Sequence, residues 1–258
     1  MIIDLHAHLL PDVDGGAETL EDSIKLAQMA LDEGITYVVV TPEYEYGKYV
    51  NSASDVKQAV LTLREAYAKA ELAIRVYAGH QIAITKEFME DFNEGELLSL
   101  DGRGKYYLVT FPDRKIPDYV YEVIDELLEK GITPIIANPE RNTAFQKDIN
   151  LLYDFVEAGC LAQMSASAYI GEYGPEVQDL CYQMLENHLV HVLASDIHQP
   201  SQSYNMRKAF KRIEEVYGKE VVHNLKENAR HIFNGEAIQR KEPVECEEMP
   251  RKRVLGIF

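Results

Sequence analysis

Short apolar runs alternate with amphipathic helical segments along most of the chain, and this alternation limits the possible folds more than any other feature. The runs predicted to form strands are residues 1–5, 35–40, 74–78, 106–111, 132–137, 160–165 and 190–194. Helical segments separate them, and further helical segments over residues 205–233 follow the last run. Such alternation predicts an α/β fold with a parallel sheet. We favour its closed form, a single-domain (β/α)7 barrel, over an open doubly wound sheet.

Polar side chains recur where the predicted strands give way to loops, and they favour the closed form. They are His6, His8, Glu43, Gln81, Asn138, Ser165 and Asp196. The carboxyl ends of the strands build the active site in α/β barrels. His6 and His8 are two positions apart and therefore point the same way from a strand. If the first and last strands are neighbours, Asp196 and His198 meet these imidazoles, which predicts a metal site.

The composition excludes several classes of protein. The 258 residues, 46% of them hydrophobic, can bury the core of one large domain. No run approaches the roughly 20 apolar residues of a membrane span, and Met1 leads directly into a strand, so we expect neither membrane insertion nor a secretory leader. Cys160, Cys181 and Cys246 are widely spaced and indicate reduced thiols in a cytoplasm. The net charge of −17 argues against a nucleic-acid partner.

The composition changes after about residue 237. The remaining sequence is highly charged and is broken by Pro243 and Pro250. We expect the barrel to occupy residues 1–238 and residues 239–258 to form a charged tail, docked through Val254 to Phe258.

The order of the motifs resembles one known family. The segments that carry the resemblance are HAHLLPDVDGGA (6–17), TP (41–42), NPER (138–141) and ASDIH (194–198). They are similar to motifs of the polymerase-and-histidinol-phosphatase (PHP) barrels, and more narrowly to the manganese-dependent protein-tyrosine phosphatases of bacterial capsule and exopolysaccharide loci. The resemblance runs from Met1 to about Ile238.

The resemblance implies a distorted barrel that holds a cluster of two or three metal ions, Mn²⁺ or a similar cation. It also implies hydrolysis of phosphotyrosine on the tail of a bacterial tyrosine kinase that controls polysaccharide assembly. Metal ions suit this reaction because they activate water near neutral pH, hold phosphoryl oxygens and offset charge on the departing phenolate. Arg141 either grips the phosphoryl group or forms an ion pair with Glu140 or a neighbouring helix. Asp14 either orients a metal-bound water or caps its own loop.

The chain departs from the family at several expected ligands. Glu43 stands where the family has a histidine after Thr-Pro, and Gln81 stands where it has the glutamate of a Gly-x-Glu motif. Thr110 replaces a glutamate, Asn138 a histidine and Gly15 an aspartate. These changes remove negative charge, and neutral amide oxygens do not restore it.

The predicted metal ligands are therefore a reduced set. They are His6, His8, Glu43, Asp196 and His198, with Gln81 and Asn138 as weak ligands or as hydrogen-bonding fillers of a vacated site. For Glu43, a solvated loop carboxylate is the competing interpretation. We expect fewer ions than in the family's cluster, and attenuated phosphatase activity.

Two other functions stay open from the sequence alone. A non-catalytic module would bind the tyrosine-rich tail of the kinase without hydrolysing it, and the replaced ligands motivate this hypothesis. A single-metal hydrolase of another small ester or amide would also fit a His-x-His pair with a distant aspartate. Turnover that depends on metal excludes the first of these, and a panel of substrates tests the second.

Overall fold

The computed structural model describes residues 2–246 and confirms the α/β prediction. The strands in this part of the chain all pair in parallel. They are β1 (Ile2–Ala7), β2 (Ile35–Val40), β3 (Glu43–Tyr44), β4 (Arg75–Ala78), β5 (Gln81–Ala83), β6 (Tyr106–Thr110), β7 (Thr133–Ala137), β8 (Leu161–Ser165) and β9 (Val192–Ala194).

Helices follow most of the strands, close to where the sequence predicts them. They are α1 (Leu20–Asp32), α2 (Ala53–Lys69), α3 (Phe88–Glu94), α4 (Asp118–Glu129), α5 (Thr143–Lys147), α6 (Asn150–Ala158), α7 (Ala166–Tyr169), α8 (Pro175–Glu186), α9 (Met206–Tyr217) and α10 (Lys219–Phe233). Thr19 caps the start of α1, because its side chain accepts a hydrogen bond from the backbone N–H of Asp22.

The strands form two sheets because two strands of the barrel are interrupted. The order is β1-β2-β4 in one sheet and β3-β5-β6-β7-β8-β9 in the other. Thr41 and Pro42 separate β2 from β3, and Gly79 and His80 separate β4 from β5. A Cβ at Gly79 would lie 2.7 Å from a side-chain methyl of Val39, so glycine permits this close approach. Counted as continuous segments, the strands give the predicted seven.

The barrel closes between its first and last strands at their carboxyl ends. Ala7 and Ile197 form an isolated parallel bridge. The backbone N–H of His8 donates to the carbonyl of Ile197, and that of Asp196 donates to the carbonyl of His6, each at 2.9 Å. The closed form is therefore confirmed over the open sheet, and the two ends of the domain meet at the predicted site.

Aliphatic side chains fill the interior, and helices cover the outside. Leu5, Val39, Leu108 and Val192 are fully or almost fully buried in one cluster that includes Ile232 of α10. Burial of each such side chain stabilises the fold by about 1.5–3 kcal/mol. This packing makes the strands a rigid support for the polar residues at their ends.

Residues 239–246 lie against the barrel. The backbone N–H of Val244 donates to the carbonyl of Asn187, and that of Cys246 donates to the Asn150 side chain. Cys160, Cys181 and Cys246 are all buried and free. The expected docking through Val254 to Phe258 lies outside the described residues. In the part of the chain that the structure describes, no helix has the length and apolar character that crossing a membrane requires.

Candidate metal site

Three potential ligands converge at the carboxyl end of the barrel. Nε2 of His6 lies 3.2 Å from Nε2 of His8 and 3.0 Å from Oδ1 of Asp196, and the His8–Asp196 separation is 3.6 Å. All three side chains are buried. Ligand atoms that bind one ion at about 2.1 Å lie roughly 3.0–3.4 Å apart in octahedral or tetrahedral geometry. The spacing therefore fits a metal ion, and this group of histidine and acidic side chains could hold one.

The hydrogen-bond partners of the two imidazoles turn the correct nitrogens towards this point. Nδ1 of His6 lies 2.7 Å from Oε1 of Gln163, and Nδ1 of His8 lies 2.6 Å from a carboxylate oxygen of Asp14. Both partner atoms are acceptors, so each Nδ1 carries a proton and each Nε2 is left to face the cluster. This is the arrangement that metal-binding histidines require.

Two buried amides extend the support from His6 to Asp196. The Gln163 amide donates to Oδ1 of Asn138 at 3.1 Å, and the Asn138 amide donates to Oδ2 of Asp196 at 3.0 Å. The donor and acceptor roles along these hydrogen bonds are consistent, because Gln163 can offer its oxygen to His6 only when its NH2 group faces Asn138. We call the chain of Gln163 and Asn138 between His6 and Asp196 the amide relay. Both polar atoms of Asn138 are used in it.

The backbone around Asp196 is held in an uncommon conformation. Asp196 and Asn138 both have left-handed backbones, with φ of 53° and 47°. Asp and Asn tolerate this region better than most residues do. Asp4 accepts hydrogen bonds from both the backbone N–H and the hydroxyl of Ser195, and from the Tyr204 hydroxyl at 2.7 Å. Asp4 is fully buried, and its burial raises its pKa despite these bonds.

Arg141 reaches into the cluster from the loop after β7. Its Nη2 lies 2.6 Å from Oδ2 of Asp196, and its Nη1 donates to the Tyr173 hydroxyl at 3.2 Å. The guanidinium also lies over the Tyr173 ring, 5.2 Å from its centroid. Arg141 therefore does not form the ion pair with Glu140 that the sequence left open. The Glu140 side chain instead accepts from the backbone N–H of Ser165, and burial raises the pKa of Glu140 to about 7.

The cluster requires a positive charge between its acceptor atoms. Oδ1 of Asp196 is buried and has no hydrogen-bond partner among residues 2–246. Burial lowers the pKa of His8, but Asp14 and Asp196 raise it more, to about 10. Burial opposes the charge on Asp196, but His6, His8 and Arg141 hold its pKa well below the usual value. A divalent cation bound between these atoms would supply such a charge.

Three further predicted ligands lie around the cluster in different ways. Oε1 of Gln81 is 2.6 Å from Nε2 of His6 and 3.1 Å from that of His8, so this amide faces the same point. Glu43 pairs with Gln81 across the sheet, is half-buried, and stays outside the group of converging ligand atoms. His198 stacks on the His8 ring at 3.8 Å, and its Nδ1 lies 3.0 Å from the carbonyl of Asp196. Burial and the charge of His8 lower the pKa of His198 to about 4.

A cavity of about 140 Å³ adjoins Asn138 and Arg141. Its walls include Phe111, Ile136 and Phe145. A larger cavity of about 330 Å³ lies at the amino end of β9, beside His191. The smaller cavity is the one relevant to the cluster, because Asn138 and Arg141 line it and both contact Asp196.

The sequence prediction missed the residues that support the ligands. Gln163 is a polar residue inside the otherwise apolar run of β8, and Asp4 shares the two-residue spacing of His6 and His8. Both signals were therefore present in the sequence. Ser195 and Tyr204 carry no comparable signal, since hydroxyl side chains are common at strand ends and in loops.

A family model described as capsular polysaccharide synthesis, CpsB/CapC, matches residues 2–234. The chain belongs to this family. It is 32% identical to the tyrosine-protein phosphatase YwqE of Bacillus subtilis (strain 168) over 258 residues, which cover 100% of both chains. It is 30% identical to the putative tyrosine-protein phosphatase CapC of Staphylococcus aureus over 259 residues, again with 100% of both chains covered.

A solved structure gives the same result for the fold. It comes from work on YwqE of Bacillus subtilis and CpsB of Streptococcus pneumoniae, described as unique metal-dependent tyrosine phosphatases. The TM-score is 0.91 at 32% sequence identity, with 95% of this chain and 100% of the other covered. The PHP-type barrel is therefore the fold of this family member.

Proposed function

We propose that this chain is a metal-dependent phosphatase that hydrolyses phosphotyrosine in proteins. The observation that carries the proposal is the convergence of His6, His8 and Asp196 beside Arg141 at the carboxyl end of the barrel. The tyrosine-protein phosphatase names of relatives that match the whole chain support it. The metal dependence of the structurally similar proteins supports it further.

The donor set suits a divalent cation, and we propose Mn²⁺ or a similar ion. Two imidazole nitrogens and one carboxylate oxygen are ligands that such ions accept, and Gln81 adds a neutral oxygen. A divalent ion bound there supplies activation of water near neutral pH and stabilises charge on phosphoryl oxygens. Asp14 contributes indirectly, because its carboxylate holds the His8 ring in the orientation that binding requires.

Arg141 is the residue that we propose for binding the phosphoryl group. Its contacts with Asp196 and Tyr173 leave other N–H groups of the guanidinium without a partner among the hydrogen bonds of residues 2–246. A phosphoryl group beside the cluster would accept hydrogen bonds from them. The contact with Asp196 keeps the guanidinium aimed at that position.

The aromatic ring of the substrate has a suitable neighbour in the cavity beside Arg141. The apolar side chains of Phe111, Ile136 and Phe145 line this cavity on the same surface as Arg141 and other polar residues. A phenyl ring held against such walls would carry its phosphoryl oxygens towards the cluster. We propose this cavity as the binding site of the phosphotyrosine ring.

The proposed substrate is the phosphotyrosine-bearing tail of a bacterial tyrosine kinase that controls capsular or exopolysaccharide synthesis, in the cytoplasm. The description of the family as capsular polysaccharide synthesis supports this choice of pathway. The net charge of −17 repels anionic ligands at long range, so binding depends on the cations at the site itself.

The test is the release of phosphate from a phosphotyrosine peptide by metal-stripped protein that is titrated with Mn²⁺. We expect turnover to require the metal and to fall by at least about 100-fold in His8→Ala, because this change removes one ligand and the partner of Asp14. His223→Ala, at an exposed position on α10, is the matched control and should retain full turnover.

One observation favours the non-catalytic alternative. The Arg141 guanidinium and the Asn138 amide already occupy one oxygen of Asp196, which limits the site relative to a full metal cluster. Tail binding that is unaffected by a chelator, without hydrolysis at any Mn²⁺ concentration, would establish the binding module instead. Hydrolysis of other small esters or amides, but not of phosphotyrosine, would establish the single-metal hydrolase.

A further inference from the structure

We infer that the site at the carboxyl end of the barrel binds one divalent ion, at Oδ1 of Asp196. The Arg141 guanidinium and the Asn138 amide occupy the other oxygen, Oδ2, where a second ion would bind. The inference rests on the proposed function in one respect, since it concerns the same metal site. The inference goes beyond the proposed function because it assigns one ion to the site and assigns the charge of Arg141 a place beside Asp196.

The two carboxylate oxygens of Asp196 have different surroundings. Oδ1 faces Nε2 of His6 at 3.0 Å and Nε2 of His8 at 3.6 Å, with no hydrogen donor bonded to it among the described residues. Oδ2 contacts Nη2 of Arg141 at 2.6 Å and Nδ2 of Asn138 at 3.0 Å. One oxygen is therefore open to an ion and the other is covered by donors.

The amide and the guanidinium both occupy the space around Oδ2. The Asn138 amide donates a hydrogen bond to this oxygen, and the Arg141 guanidinium places its positive charge 2.6 Å from it. A carboxylate that bridges two ions through both of its oxygens needs one oxygen for each ion. Asp196 cannot form this bridge while Arg141 and Asn138 keep their contacts with Oδ2.

The amide relay prevents Asn138 from changing its role. A second ion would need the Asn138 oxygen in the place of its NH2 group. Turning the amide would break its hydrogen bonds with both Gln163 and Asp196. It would also leave the buried NH2 groups of Gln163 and Asn138 facing each other, which is unfavourable.

The charge of the site also matches a single ion. Among residues 2–246, the histidine, cysteine and acidic side chains that converge as potential ligands are His6, His8 and Asp196, and they carry one carboxylate. Gln81, which faces the same point, is neutral. The positive charge of Arg141 already balances part of the negative charge of Asp196 and repels a further cation at close range.

The first experiment counts the ions. Metal-stripped protein is dialysed against Mn²⁺, and bound metal is measured by elemental analysis and by electron paramagnetic resonance. We expect one Mn²⁺ per chain, with the six-line spectrum of an isolated ion. Two or more ions per chain, or a spectrum of exchange-coupled Mn²⁺, would overturn the inference.

The second experiment replaces Arg141. Arg141→Met removes the charge at similar length and should increase the Mn²⁺ affinity on the order of tenfold in calorimetry, because a repelling charge next to the ligand is lost. Arg141→Lys keeps the charge and should stay within about threefold of the wild-type affinity. Unchanged or lower affinity in Arg141→Met, or an equal increase in Arg141→Lys, contradicts the proposed role of the charge.

These measurements separate the inference from the proposed function. One bound Mn²⁺ without turnover of the phosphotyrosine peptide would refute the phosphatase proposal and leave the inference intact. Turnover of the peptide with two bound ions would refute the inference and leave the phosphatase proposal intact. Circular dichroism of both Arg141 variants, whose side chain is partly exposed, checks that the barrel is folded.

Discussion

At the scale of single residues, neutral amides position the proposed metal ligands. Gln163 fixes the tautomer of His6 through its oxygen and fixes the amide of Asn138 through its nitrogen. One side chain therefore controls a ligand on β1 and, through Asn138, the orientation of Asp196 after β9. Since an amide does not titrate, this support is the same at every pH at which the barrel is folded.

Replacement of Gln163 tests this support. Gln163→Ala should weaken Mn²⁺ binding by about 10–100-fold, because the His6 ring loses the acceptor that orients it. Calorimetric titration of metal-stripped protein measures the change. Gln58→Ala, on the exposed face of α2, is the control and should bind as the wild type does. Wild-type affinity in Gln163→Ala would show that the packing around His6 alone orients the ring.

The convergence of His6, His8 and Asp196 was predictable from the sequence, but their surroundings were not. The two-residue spacing of His6 and His8 on a strand, and the position of Asp196 after the last strand, were sufficient for that prediction. The direction in which Asn138 and Arg141 point was not predictable, because it depends on loop backbone such as the left-handed conformation of Asn138. For the same reason Arg141 was left between two partners, and its observed partner is Asp196.

At the scale of elements, a buried carboxylate ties β1 to the segment after β9. Asp4 on β1 accepts hydrogen bonds from Ser195, the residue before Asp196, and from Tyr204 before α9. The backbone bonds between His6 and Asp196 and between His8 and Ile197 lie directly beside it. The first and last strands are therefore joined by side chains as well as by the ladder.

Tyr204→Phe tests this junction with little change in volume. We expect a loss of about 1–3 kcal/mol in the free energy of unfolding, because a buried carboxyl group loses one hydrogen-bond donor. Urea denaturation of the metal-free protein measures it. Tyr46→Phe, at a side chain that is 56% exposed, should change stability by less than about 0.5 kcal/mol. An equal effect of both substitutions would show that the Asp4 junction adds no stability.

The order and type of most elements followed from hydrophobic patterning, whereas the short strands did not. β3 and β5 have two and three residues and follow Pro42 and the Gly79-His80 pair. Such lengths are too short to show a period in the sequence. They exist because β6 offers an edge to β5, and β5 in turn offers one to β3.

At the scale of the whole molecule, two buried neutral histidines make the free energy of unfolding depend on pH in the acid range. His80 and His191 each accept a backbone N–H at Nδ1, from Leu98 and Ala162. Burial lowers the pKa of each imidazole from 6.5 to about 3. The unfolded chain therefore binds these protons first as the pH falls. The contribution of these neutral imidazoles to the free energy of unfolding is present above pH 6.5. It is lost as the pH falls from 6.5 towards 3.

His191→Asn should reduce this acid sensitivity, because asparagine does not titrate and its oxygen can accept the same N–H. Between about pH 6 and pH 4, the slope of unfolding free energy against pH should fall by about 1.4 kcal/mol per pH unit. Urea denaturation at several pH values measures the slope. His223→Asn, at an exposed position, should leave it unchanged. An unaltered slope in His191→Asn would mean that His191 takes up its proton in the folded protein.

The closure of the barrel between β1 and β9 has a consequence for how the protein is made. His6 and His8 precede Asp196 by almost 190 residues, so they leave the ribosome well before it. A nascent chain that ends before Asp196 has neither the closing bridge nor the carboxylate that completes the ligand group. Binding of an ion by all three side chains would therefore follow the synthesis of most of the barrel, and a bound ion would indicate that the first and last strands have paired.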